Sequence, residues 1–156
     1  MKKILYSILG MLTLCASFTS CGDDDSPAKH SQLPEVAATG TYSGTWEVGD
    51  GTDITATEEG SVEVSVVEGS SYVASITLKA PNISDIDGLS AVGNCAWSGN
   101  AQIINVSQKN GTLSELASCR IEEDGTMIGP KFIKSVKVGK KTTVTYYSFK
   151  GHKALK

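Results

Sequence analysis

From residue 40 onward the chain is interrupted at short intervals by turn-forming residues, and that punctuation restricts it to short extended elements. The interruptions are Gly49-Asp50-Gly51, Glu59-Gly60, Glu68-Gly69-Ser70-Ser71, Asn110-Gly111, Asp124-Gly125 and Gly139-Lys140. Between them lie alternating or β-branched segments at 41–48, 54–57, 62–67, 72–79, 101–108, 113–122, 127–138 and 142–149. Asn-Gly and Asp-Gly suit type I′ hairpins because both central positions tolerate positive φ, so neighbouring segments are expected to pair antiparallel. Val62, Val64 and Val66 alternate with Glu63 and Ser65, the pattern of a strand wet on one face. No stretch sustains a 3.6-residue apolar period. About eight strands in residues 40–156 predict an all-β domain, a small antiparallel up-and-down β-barrel, with a β-sandwich as the alternative. Residues 80–94 form the one long connection, where Pro81 and several Asp/Asn turn formers leave room for a short helix or a lid.

The N-terminus carries an address. Lys2 and Lys3 precede an apolar run from Ile4 to Leu14, shorter than the about 20 residues needed to cross a bilayer. Residues 1–20 therefore read as a signal peptide. Phe18-Thr19-Ser20-Cys21 resembles a bacterial lipobox, which makes Cys21 the expected lipidation site; Leu14 is too bulky for cleavage before Cys15. Gly22-Asp23-Asp24-Asp25 resembles the acidic export signal of surface lipoproteins of the Bacteroidetes type, an ordinary solvated spacer being the alternative. Residues 21–39 are polar and punctuated by Pro27 and Pro34, as expected of a flexible tether. Extended, 22–39 would reach at most about 60 Å. The expected location is the outer membrane, on its periplasmic side or at the cell surface.

Removing residues 1–20 takes away two lysines and no acid, leaving 12 basic against 17 acidic residues and a net charge of −5. Such a surface argues against nucleic acid as a partner. The charge is segregated: every acid lies at or before Asp124, while residues 125–156 hold eight lysines and no acid. A basic C-terminal hairpin packed beside acidic strands accounts for this, with an anion-binding face as the alternative.

With Cys15 in the signal and Cys21 used for lipid, Cys95 and Cys119 remain. Export favours a disulfide between them, closing a 25-residue loop, yet two retained thiols are equally compatible with the sequence. They also make half a zinc site, but the only histidines are His30 in the tether and His152 near the end, so no metal is expected.

Gly40-Thr41-Tyr42-Ser43-Gly44-Thr45-Trp46 opens the first strand, and Gly44-x-Trp46 resembles the opening signature of lipocalins and other calycins. The last strand closes on Phe149-Lys150-Gly151-His152-Lys153. Together they resemble the calycin-like, lipocalin-like domain of lipoproteins of the Bacteroidetes type. The resemblance implies that Trp46 plugs one barrel end beside Gly44, with Lys150 from the last strand across it.

No catalytic constellation is present in the sequence, and no cofactor is expected. His152 stands beside a glycine near the terminus, where a solvated imidazole is the ordinary outcome. Asp85-Ile86-Asp87-Gly88 has the start of a calcium loop without its later ligands and reads as a turn. Two functions remain. One is a barrel that binds a small apolar ligand, motivated by a lean supply of large side chains for an eight-strand interior. The other is a non-catalytic interaction protein, an accessory subunit, adhesin or protease inhibitor, acting through loop 80–94 or the lysine-rich hairpin. An enclosed apolar cavity would favour the first, and a filled barrel the second.

Overall fold

The computed structural model describes residues 30–106, 109–110 and 113–154; the signal region and Cys21 lie outside them. Alternation and tight turns produce β1 (Gly40–Gly49), β2 (Ile54–Val66), β3 (Val73–Lys79), β4 (Ser90–Ser98), β5 (Ala101–Val106), β6 (Lys109–Asn110), β7 (Leu113–Ala117), β8 (Cys119–Ile121), β9 (Thr126–Val138) and β10 (Lys141–Lys153), preceded by α1 (Pro34–Ala38). β10 pairs with both β9 and β1. This closes β1-β2-β3-β4-β5-β8-β9-β10 into a ring of eight antiparallel strands, the expected up-and-down barrel. β7 continues the line of β8 along the same edge of β9. Their break at Ser118 faces Gly129, where an added Cβ would lie 2.5 Å from the Ser118 carbonyl oxygen, and Pro130, which has no N–H to donate.

Two expected boundaries move, and their effects on the strand count cancel. β2 runs straight through Glu59-Gly60, because Gly60 serves packing and not a turn: its missing Cβ would lie 2.7 Å from Trp46 Cδ1. Conversely, β4 occupies part of the expected long connection. Gly93 and Asn94 are poor strand formers, so only pairing with β3 and β5 reveals it.

The third change is at the tether. Residues 30–39 are not a spacer but part of the domain. Pro34, at the first turn of α1 where its missing N–H is harmless, is buried with Glu35 and Ala38. Tyr42 Oη donates to the Ala38 carbonyl at 2.7 Å and Lys153 Nζ to the Ala37 carbonyl at 3.0 Å. His30 stacks on Trp97 with ring centres 3.5 Å apart, and Trp97 Nε1 donates to the Gln32 carbonyl. The segment covers the barrel end at which β1 begins and β10 finishes, called the helix end below. The far end carries the β1–β2 and β9–β10 turns and loop 80–89.

Inward positions follow the two-residue period: Trp46 and Tyr42 on β1, Val62 and Val64 on β2, Ile76 and Leu78 on β3, Ile104 on β5, Ile121 on β8, Phe132 on β9, and Tyr147 and Phe149 on β10 form one buried cluster. Outward positions Thr41, Ser43, Glu63 and Ser65 are exposed. None of the helices among the described residues is long and apolar enough to cross a membrane.

Candidate functional site

Gly44 faces Gly60 across β2 and Gly151 across β10, so three glycines stand side by side on three strands. The space they leave is filled by two rings. Trp46 and Phe149 are register partners, both fully buried, with ring centres 5.1 Å apart; Phe132 lies 6.5 Å from the indole. Trp46 Nε1 donates to the Lys79 carbonyl at 3.3 Å, which ties the indole to the last residue of β3. Lys150 does not lie across it. Strand parity decides this: Phe149, Gly151 and Lys153 share the inner side, whereas Lys150 pairs with Thr45 and is exposed. The cation over an aromatic ring is instead Lys153, 5.8 Å from the centre of Tyr42.

Cys95 and Cys119 are both buried and remain thiols, so of the two arrangements the sequence left open the disulfide is not formed. Each is paired with Ile104 from opposite sides of β5, which places their backbones two strand spacings apart, about 10 Å. A disulfide requires Cα atoms within about 7 Å. Burial, with Glu35 nearby, pushes the Cys95 thiol up to about 11, so at neutral pH it is protonated and a poor nucleophile. Glu35 is 1% exposed, and its Oε2 has no hydrogen-bond partner among the described residues.

The far end is closed by loop 80–89. Ala80, Ile83 and Ile86 are buried under it. Asp87 Oδ1 accepts from the Ala80 N–H at 2.7 Å, and the Gly88 N–H donates to the Leu78 carbonyl at 3.0 Å. The segment read as a turn, Asp85-Ile86-Asp87-Gly88, is thus the centre of a lid, and both its carboxylates bind protein groups. Asp85 is fastened by Lys134 Nζ on one oxygen and by the Tyr147 hydroxyl on the other. Lys134, followed by Tyr147, holds the Asp85 carboxyl below its ordinary range; burial and Asp85 raise the Tyr147 phenol. Sequence reasoning missed this latch, because Asp85 and Lys134 stand 49 residues apart.

A group with a depressed folded pKa contributes stability that is complete above its unfolded pKa and lost as pH falls through the folded one. The lid is therefore expected to loosen below the ordinary carboxylate range, about pH 4, and Asp85→Asn to be loose at neutral pH as well. Amide protection at Ile86, corrected for intrinsic exchange at each pH, measures this. Parallel acid loss in both proteins would assign the effect to Asp50 and Asp124, whose turn carboxylates are also held low by backbone N–H groups.

Beside the lid a cleft of about 340 Å³ opens between the β1–β2 hairpin and β10. Glu47, Ser148 and Lys131 form one rung across β1, β10 and β9. Asp50 Oδ1 accepts from the N–H groups of Thr52 and Asp53 at 2.9 and 3.0 Å, shaping the hairpin tip. Gly51, at φ 95°, lets that tip approach the Tyr146 ring; a Cβ there would lie 2.5 Å from the ring edge. The basic β9–β10 hairpin does neighbour the acidic β1–β2 pair, through β10 and β1. Among the described residues no cluster of three metal-binding side chains occurs.

The fold defines a closed eight-strand β-barrel with a helical cover at one end and a latched lid at the other. Compared with known protein families, curated proteins and solved structures, the chain matches none.

Proposed function

We propose that the chain is a lipoprotein with a calycin-like, lipocalin-like barrel, acting as a non-catalytic recognition module through the far end of that barrel. The observation that carries the reading is packing: Trp46, Tyr42, Phe132 and Phe149 fill the interior that an apolar ligand would need, and each is at most 1% exposed. With α1 over one end and the lid over the other, recognition falls to the surface around the lid. The calycin reading rests on Gly44-x-Trp46 at the head of β1 and on the packing of Trp46 against the last strand.

The docked segment supports an orientation for an anchored chain. Eight residues, 22–29, separate Cys21 from His30, a span of at most about 30 Å. The helix end would lie next to the membrane and the lid, the cleft and both charged hairpins would face away from it. Acylation at Cys21 is tested by Cys21→Ser, which is expected to move the protein from the detergent-extracted membrane fraction to the soluble one. Unchanged membrane partition of that variant would remove the anchor from this reading.

A further inference from the structure

The cleft beside Tyr146 carries charges of both signs that do not neutralise each other. Lys131 and Glu47 are exposed, stand on the same rung with Ser148 between them, and form no ion pair among the described residues. Asp53, at the hairpin tip that forms the opposite wall, likewise has no side-chain partner among the described residues. Two other acids of the far end are engaged, Glu58 with Asn82 and Asp85 with Lys134. Two carboxylates, one ammonium and a phenol ring therefore line a concave space whose 340 Å³ is at the small end of ligand sites.

We propose that this cleft binds a small zwitterion of amino-acid type, with its carboxylate at Lys131 and its ammonium groups at Glu47 and Asp53. The Glu47 and Lys131 backbones are two strand spacings apart, about 10 Å, so their side chains approach a ligand seated over Ser148 from opposite sides. The surplus carboxylate selects a ligand with a second cationic group, and the Tyr146 ring offers an apolar surface for the stem between its charges. L-lysine fits this pattern; L-glutamate inverts it. A basic zwitterion also satisfies each charge with an opposite one, whereas a neutral apolar ligand would leave all three desolvated and unpaired.

The inference deepens the reading of the far end as the working surface, and it needs neither the lipid anchor nor a protein partner. Titration of the full chain in nonionic detergent with L-lysine, L-glutamate and cadaverine, followed by amide chemical shifts, tests it whether or not anchoring holds. Saturable shifts at Glu47, Asp53, Lys131 and Ser148 are expected with L-lysine and not with L-glutamate. Cadaverine, which lacks the carboxylate, should bind about tenfold more weakly, the equivalent of one charge-assisted hydrogen bond. Lys131→Gln should erase the difference between lysine and cadaverine, and Glu47→Gln should weaken both by about tenfold. All of these side chains are exposed, so the variants keep the fold. No saturable shift with L-lysine up to about 10 mM, ten times a dissociation constant of about 1 mM, would overturn the proposal. Equal binding of lysine and cadaverine to the unmodified chain would overturn the zwitterion assignment.

Discussion

Trp46→Ala is expected to lower stability by about 3–5 kcal/mol, the range for deleting a large buried aromatic side chain. The indole is fully buried between Phe149 and Phe132, and its N–H is bound to the Lys79 carbonyl, so truncation leaves both a cavity and an unsatisfied acceptor. The cavity cannot readily collapse, because Gly44, Gly60 and Gly151 offer no side chains to move into it. Lys150→Ala should change stability by less than about 0.5 kcal/mol, since the residue is exposed on the outer face. Urea unfolding followed by circular dichroism compares them. A Trp46→Ala midpoint close to that of the unmodified protein would sink the account of the core and, with it, the main residue-level support for the calycin reading.

Gly44→Ala should be nearly as damaging, although it adds only one methyl group. The new Cβ would lie 2.1 Å from the Lys150 carbonyl oxygen and 2.4 Å from Gly151 Cα. Both are backbone atoms of the strand that closes the ring, so relief requires β1 and β10 to separate. Overpacking of this kind costs about 1–3 kcal/mol, and here the cost should fall at the upper end, because ladder hydrogen bonds are strained with it. Ser43→Ala, one residue away and exposed, is the control and should stay within about 0.5 kcal/mol. Equal unfolding midpoints for the two variants would show that the glycine row is not needed for ring closure.

Strand periodicity was legible in the chain because it is a local property: the alternation of Val62 and Val64 with Glu63 can be satisfied only by an extended segment with one buried face. Strand limits were less so. Glu59-Gly60 carries a turn signature, yet the glycine answers to the indole of a residue on another strand. β4 carries almost no signature, and its partners supply what its own residues lack. In the tether, Pro27 and Pro34 look alike as punctuation. The structure seats Pro34 in the first turn of a five-residue helix in the barrel mouth.

Local pattern was enough to mark the domain as all-β, antiparallel and of about eight strands, because hydrophobic period and turn chemistry act over a few residues. It also marked Trp46 as a residue to watch. The tertiary structure alone decided which lysine meets an aromatic ring, since the inner or outer parity of Lys150 and Lys153 depends on how β10 pairs with β1. It decided that Cys95 and Cys119 stay thiols, since Ile104 of the intervening strand holds their backbones apart. Finally, it brought Asp85 to Lys134 and set Glu47 and Lys131 on one rung either side of Ser148, because closing a sheet into a ring fixes neighbours that no local pattern encodes.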